Sequence, residues 1–161
     1  METTRHIIEF ETYADISALP PEDAALLRQA RTATKDAWAP YSRFRVGAAA
    51  LLENGEVLTG TNQENASYPV GICAERTVLS VASGLHPNVP VLTIAVSYDN
   101  ELAPSVEPIA PCGICRQTLM EYQARFHRPI KLILGGLSGK VIVVADSADL
   151  MPLSFSAKSM K

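Results

Sequence analysis

The sequence is poor in cysteine and contains no long apolar run. It has 3 cysteines in 161 residues, and no apolar stretch approaches the roughly 20 residues that a membrane-spanning helix needs. The opening residues, METTRH, lack the apolar centre of a signal peptide. Because unpaired cysteines without an export signal are typical of a reducing compartment, we expect a cytoplasmic protein with no membrane partner.

Positive charge is also scarce. Lysine and arginine number 14 against 17 aspartates and glutamates, which gives a formal net charge of −3. Nucleic-acid binding requires a basic face, so this balance argues against a nucleic-acid partner. A chain of 161 residues, of which 47% are hydrophobic, is long enough to bury the core of one domain.

All three cysteines lie in two short stretches, residues 73–76 (CAER) and 111–116 (PCGICR). Cys112 and Cys115 are three residues apart, so a helix that starts after Pro111 would place both sulfurs on one side of its first turn. Cys73 also opens an apolar-periodic run. Three thiols at two helix N-termini are favoured as thiolates by the helix dipole. Three soft ligands without a fourth cysteine suit a zinc ion with one open coordination position.

The residues around these thiols leave several interpretations open. Glu75 is out of phase with Cys73 on a helix, which favours an acid/base role over metal ligation. The alternative is that Glu75 has no catalytic role and is a first-turn acid that stabilises the helix. The cysteine pair also fits a redox pair or half of a structural zinc site, although none of the 3 histidines lies at a finger-like spacing. Arg116 is either a solvated helix residue or a neighbour of the metal.

The two stretches resemble the metal site of the zinc-dependent nucleoside deaminases, specifically the small, all-cysteine, homotetrameric type of the cytidine deaminase family. Segments at 40–49, 62–68 and 150–155 resemble family segments in family order. The resemblance implies hydrolytic deamination of cytidine and deoxycytidine to uridine and deoxyuridine with release of ammonia, a pyrimidine salvage reaction. It implies one zinc ion per chain on Cys73, Cys112 and Cys115, with Glu75 as the acid/base.

The same resemblance implies four substrate contacts. Asn62 and Glu64, which lie two apart at a strand end and so on one side of it, would contact the ribose. Phe44 would line the base pocket, and the backbone N–H of Ala74 would meet the base carbonyl. From the residues alone, the first pair also fits an Asx-type turn, and the other two fit core packing. Gln63 stands where the family would have an apolar residue.

Two further roles follow from the resemblance. Arg76 would donate a hydrogen bond to a thiolate and so balance part of the thiolate charge. Phe155 would close the base pocket of a neighbouring subunit in a homotetramer, whereas composition alone favours a flap over its own core. The alternatives for the whole protein are another small-molecule zinc deaminase of the blasticidin-S type, or a zinc-stabilised binding module without catalysis. Phe44, Asn62 and Glu64 favour an ordinary nucleoside as substrate.

Periodicity and turn signals predict the order of the elements. An Asn-Gly pair between two apolar runs predicts a hairpin, and Pro20-Pro21 followed by two acids predicts a helix start. The predicted helices are 21–38, 73–84, 112–126 and 147–151, and the predicted strands are 44–52, 57–61, 91–97, 130–134 and 141–144. This order predicts an α/β fold, a three-layer mixed five-stranded sheet with helices on both faces. The deaminase domain would span 21–161, after an extension at 1–20 in which 8–11 alternates like a short strand.

Overall fold

One six-stranded mixed sheet runs through the protein, as seen in a computed structural model that describes residues 1–160. The strand order across the sheet is β1-β6-β5-β4-β2-β3. β4 and β5 are parallel, and every other neighbouring pair is antiparallel. The strands are β1 Glu11–Tyr13, β2 Phe44–Leu52, β3 Val57–Thr61, β4 Val91–Asn100, β5 Lys131–Gly135 and β6 Val141–Val144.

Three α-helices cover the two faces of the sheet. They are α1 Pro21–Ala33, α2 Ala74–Leu85 and α3 Gly113–Phe126. Five short 3-10 helices complete the description, at Ile16–Ala18, Thr34–Asp36, Tyr68–Val70, Ser147–Leu150 and Ala157–Met160. Among these described elements no helix is long and apolar enough to cross a membrane.

Strand side chains alternate between two buried layers, as a period of two requires. Ala48 and Ala50 of β2 pack into the layer under α2 and α3, whereas Ala49 between them packs against α1. β4 and β5 alternate in the same way, so both faces of the central strands are buried. The three-layer α/β arrangement predicted from the sequence is therefore confirmed.

Two glycines in the sheet allow the helices to approach it closely. A Cβ atom on Gly47 would lie 2.2 Å from the backbone oxygen of Ala30 in α1. A Cβ atom on Gly60 would lie 2.5 Å from the backbone nitrogen of Val78 in α2. Because both contacts are with helix backbone, no side-chain rotation could relieve them. The position of α2, and of the residues at its start, depends on Gly60.

The sheet has six strands rather than the predicted five, because the N-terminal extension contributes one. Glu11–Tyr13 pairs antiparallel with β6, and Tyr13 lies opposite Val141. The alternating residues before it are not in a strand, and Ile8 and Phe10 are exposed. The domain boundary after residue 20 stays a prediction.

The first and last predicted helices also differ from the structure. α1 ends at Ala33 instead of continuing to Trp38, since the backbone of Trp38 is extended and pairs with residues 62–64 through hydrogen bonds to Asn62 and Glu64. Ala37 is buried as its spacing suggested, but Trp38 is 59% exposed. The closing helix is a 3-10 turn, Ser147–Leu150, which begins with the Asp146 side chain accepting from the N–H of Ala148. The hairpin turn forms at Asn54-Gly55, where Gly55 has a φ of 85°.

Candidate metal centre and cleft

The three cysteines meet at the N-termini of α2 and α3. Cys73 is the N-cap residue of α2 and Cys112 is the N-cap residue of α3, while Cys115 lies in the first turn of α3. The Sγ atoms of Cys73 and Cys112 are 3.8 Å apart, and those of Cys112 and Cys115 are 3.5 Å apart. All three sulfur atoms lie within 4.8 Å of one another. The two helix starts thus supply one cluster, as the sequence predicted.

This cluster fits a zinc ion. Tetrahedral coordination with zinc–sulfur bonds of about 2.3 Å separates neighbouring sulfurs by about 3.8 Å, which the measured distances match. Within the described residues, the cluster consists of the three thiols and does not include Glu75. Three protein ligands leave one tetrahedral position open, the arrangement that catalytic zinc sites have and structural sites lack.

Hydrogen bonding within the cluster shifts the pKa values of two of the thiols in opposite directions. A hydrogen bond from the Cys115 thiol lowers the pKa of Cys73 to about 6, although burial acts in the opposite direction. The same hydrogen bond raises the pKa of Cys115, which is buried. Cys112 is exposed. The hydrogen-bonded cluster therefore favours the thiolate form of Cys73, and the thiolate is the form that binds metal.

Glu75 lies beside the cluster, in the first turn of α2. It is only 5% exposed, and burial raises the pKa of its carboxyl. Together with Cys73 and Cys112 it lines a cleft with a volume of about 390 Å³. A buried carboxyl with a raised pKa that faces the same cleft as the thiols can both accept and release a proton there.

The cleft lining carries no positive charge among the described residues. Besides the thiols, its ionisable groups are the carboxyl groups of Glu64 and Glu75 and the phenol of Tyr68. A ligand with a phosphate group would therefore meet negative charge, whereas an uncharged polar ligand would not. The other lining residues are Val46, Asn62, Gln63, Asn65, Tyr68, Gly71, Ile72, Ile109 and Ala110.

Asn62 and Glu64 both line the cleft, and both also hold the surrounding backbone. Asn62 accepts from the N–H of Val46 at 2.7 Å and donates to the carbonyl of Phe44 at 2.9 Å. The Glu64 carboxylate accepts from the N–H groups of residues 41 and 42 and from the hydroxyl of Ser42. Burial acts to raise the pKa of Glu64, but these hydrogen bonds outweigh it and hold the pKa below its usual value. These bonds do not form an Asx-type turn, because they reach backbone 16 to 23 positions away in the chain. They leave further lone pairs of both side chains for a ligand.

Phe44 and Ala74 lie near the cleft without being part of its lining among the described residues. The ring of Phe44 stacks on Tyr98, with centroids 4.8 Å apart. Ala74 is fully buried. Val46, two residues along β2 from Phe44 and hence on the same side, lines the cleft instead. The sequence analysis missed Val46, although the period of two along the strand could have indicated it.

The two arginines next to the ligands behave differently from each other. Arg76 is half-buried and its charge acts to lower the pKa of Cys73, but no hydrogen bond joins it to a thiol in the described part of the chain. Arg116 is half-buried and donates to the carbonyls of Pro111 at 2.8 Å and Leu150 at 2.9 Å. The structure therefore places Arg116 against backbone oxygens and not in solvent or on sulfur.

Phe155 lies outside the cleft of its own chain. Its side chain is 61% exposed, and its carbonyl accepts from the side chain of Gln117 at 3.0 Å. It borders the exposed surface of α3 that includes Ile114. The alternative of a flap over the chain's own core does not agree with this exposure.

Comparison with known proteins identifies the relatives of this fold and site. Residues 20–127 match the family model described as the cytidine and deoxycytidylate deaminase zinc-binding region. A cytidine deaminase from Halalkalibacterium halodurans is 40% identical over 135 residues, which cover 84% of this chain and 95% of the relative. A blasticidin-S deaminase from Bacillus cereus is 26% identical over 117 residues, 71% of this chain and 79% of the relative.

The solved structures agree with the sequence comparison. The crystal structure of cytidine deaminase from Burkholderia pseudomallei superposes with a TM-score of 0.71 at 39% identity, and the match covers 81% of this chain and 97% of that one. The chain belongs to the cytidine and deoxycytidylate deaminase family.

Proposed function

We propose that this protein is a zinc-dependent cytidine deaminase that hydrolyses cytidine and deoxycytidine to uridine and deoxyuridine and releases ammonia. The observation that carries this function is the cluster of three thiols at zinc-binding distances, with the buried carboxyl of Glu75 in the same cleft. Family membership and relatives named cytidine deaminase support the substrate class. Zinc would be held by Cys73, Cys112 and Cys115, one ion per chain.

Glu75 has the position that an acid/base for this reaction needs. When bound, zinc supplies an acidified water molecule as the nucleophile for C4 of the cytosine ring. Glu75 would take one proton from this water and deliver it to the ring nitrogen. It would then pass the second proton of the former water, held by the hydroxyl on C4, to the amine, which leaves as ammonia while the C4 carbonyl forms. Its burial keeps bulk water from competing for these protons. General acid/base help of this kind is worth about 10²–10⁴-fold in rate.

The cleft supports an uncharged nucleoside as substrate. Asn62 and Glu64 would contact the ribose with the hydrogen-bonding capacity that the surrounding backbone leaves free. Ala74, at the start of α2, would offer its N–H to the base carbonyl. Phe44 would support the base pocket, and the absence of cations in the described lining argues against a nucleotide. Arg76 would reduce the negative charge of the thiolate cluster through its field.

Assembly and location complete the proposal. Phe155 is exposed away from its own cleft, and Cys112 is exposed at the edge of the metal cluster. The exposure of Phe155 supports a homotetramer in which Phe155 covers the cleft of a neighbour, because the ring is free to contact another chain. A cytoplasmic location, with a role in pyrimidine salvage, agrees with three free thiols.

An ultraviolet absorbance assay with cytidine, deoxycytidine and blasticidin S tests the proposal. We expect turnover of cytidine and deoxycytidine, whereas turnover of blasticidin S alone would favour a blasticidin-S deaminase activity. Glu75→Gln keeps the size of the side chain and should lower turnover by at least about 10²-fold, with zinc content and fold retained. Glu22→Gln is the matched control, because Glu22 is an exposed first-turn acid of α1. Wild-type turnover in zinc-loaded Glu75→Gln protein would contradict the mechanism, and no turnover by the wild type would favour a binding module.

A further inference from the structure

Side chains of α3 hold the C-terminal segment, residues 146–155, at three points. Gln123 donates to the first residues of the segment at 2.7 and 2.8 Å. Arg116 donates to the carbonyl of Leu150 at 2.9 Å, and Gln117 donates to the carbonyl of Phe155 at 3.0 Å. The helix that carries two of the three thiols therefore also determines the path of the chain to its exposed terminal aromatic.

Arg116 differs from the other two donors because it binds a second backbone group. Its Nε atom donates to the carbonyl of Pro111 at 2.8 Å, while its Nη1 atom donates to Leu150. Pro111 is buried and directly precedes Cys112, whose side chain makes no capping hydrogen bond to α3. One planar guanidinium thus joins the turn that presents the Cys112 thiol to the C-terminal segment.

We propose that Arg116 is a positioning residue that couples the C-terminal segment to the Cys112 turn. The inference rests on the proposed zinc site, because a metal ion bound to the Cys112 thiol would hold the same turn from its other side. A guanidinium can hold two carbonyls in one plane at once, whereas the ammonium of lysine is a single point charge on a flexible stem. Lysine at this position would keep the charge and lose the bridge.

Coupling of this kind is reciprocal. If an ordered C-terminal segment stabilises the Cys112 turn for zinc, then bound zinc must stabilise the segment by the same free energy. Zinc binding should therefore slow amide hydrogen exchange in residues 147–155. Replacing Arg116 should remove this effect of zinc and weaken zinc retention together.

The experiment uses the full chain as wild type, Arg116→Lys, Arg125→Lys and Gln117→Ala. Arg125 is the matched control, because it lies on the same helix and also donates to a carbonyl, that of Pro87, which is outside the ligand turn. Zinc release is measured with a chromophoric chelator, and hydrogen exchange is measured by mass spectrometry with and without zinc. Peptides from β2 report whether metal removal loosens the whole fold.

In the wild type we expect zinc to slow exchange in 147–155 and to leave β2 unchanged. Arg116→Lys should release zinc about 10-fold faster, at the lower end of the range for groups that orient metal ligands, and its C-terminal segment should no longer respond to zinc. Arg125→Lys should behave as the wild type. Gln117→Ala should speed exchange next to Phe155 without changing zinc release.

Several outcomes would overturn the inference. The first outcome requires only the wild type. If zinc does not slow hydrogen exchange in its C-terminal segment, or slows exchange in β2 equally, there is no specific coupling. The inference would also be wrong if Arg116→Lys released zinc at the wild-type rate, or if Arg125→Lys released zinc as fast as Arg116→Lys. A wild-type protein that binds no zinc would instead refute the proposed metal site, so the two failures are distinguishable.

Discussion

Replacement of Gly60 by alanine should damage the active centre, although Gly60 itself is not one of its residues. The added Cβ atom would lie 2.5 Å from the backbone nitrogen of Val78 and 2.9 Å from the carbonyl oxygen of Ala74. Ordinary contacts begin at about 3.5 Å, so α2 must move away from β3 by about 1 Å. Because both contacts are with backbone, the helix has to move as a body and must carry Cys73 and Glu75 with it.

Two magnitudes follow from this displacement. Overpacking of this kind costs about 1–3 kcal/mol of unfolding free energy, which lowers Tm by roughly 2–12 °C in a protein of this size. A misplacement of about 1 Å in a catalytic group costs about 10²-fold in rate. We therefore expect a folded but destabilised Gly60→Ala protein with reduced zinc content and about 1% of wild-type turnover.

Gly84→Ala is the matched control for this experiment. Gly84 lies in the exposed last turn of α2, where an added Cβ atom meets nothing within 4 Å. Alanine is favoured over glycine in a helix by about 0.5–1 kcal/mol, so the same chemical change should here raise Tm slightly and leave turnover unchanged. Calorimetry, zinc analysis and the absorbance assay on both variants check the prediction. Wild-type Tm and turnover in Gly60→Ala, or equal losses in the two variants, would refute the reasoning.

Three further predictions concern the metal, the assembly and the cleft turn. Cys112→Ala should lose zinc and folded stability together, because the remaining thiolates lose their shared positive charge, and elemental analysis with thermal unfolding checks this. Mixed tetramers of Phe155→Ala and Glu75→Gln chains should show more activity at low cytidine than the sum of the parents, since some sites then contain both residues. The pKa of Glu64 is lowered in the folded protein, so the hydrogen bonds that its carboxylate accepts from the 41–42 turn are fully present above its usual pKa near 4.5. They should be lost as the pH falls through the lower pKa of the folded state. Tyrosine fluorescence should report this loss at Tyr41.

Each of these has a result that would contradict it. Full zinc occupancy in Cys112→Ala would remove Cys112 from the ligand set. Additive activity in mixtures whose subunit exchange is confirmed by mass spectrometry would place Phe155 in its own chain or outside the reaction. A fluorescence transition that Glu64→Gln shows at the same pH would mean that another group is responsible.

Local signals in the sequence were sufficient for the elements that carry the thiols. Proline before Cys112 and apolar periodicity after Cys73 predicted two helix starts, and α2 and α3 begin one residue after these cysteines. The Asn-Gly turn and the alternation along β2 and β4 are likewise local, because the turn conformation and the period of two depend on neighbouring residues only. The family segments then gave the class of protein, which the comparisons confirmed.

Tertiary structure alone decided the distances between the thiols and which backbone groups the side chains bind. The sulfurs of Cys73 and Cys112 are separated by 39 positions in the chain, and the order of strands together with the room left by Gly60 brings them to 3.8 Å. The extension supplied a sixth strand, because pairing with β6 depends on where that edge lies in space. Arg116 could not be assigned from its position next to Cys115, since the carbonyl of Leu150 comes within its reach only after the chain has folded back along α3. Local conformation follows from neighbouring residues, whereas contacts between distant segments depend on the packing of the whole sheet and its helices.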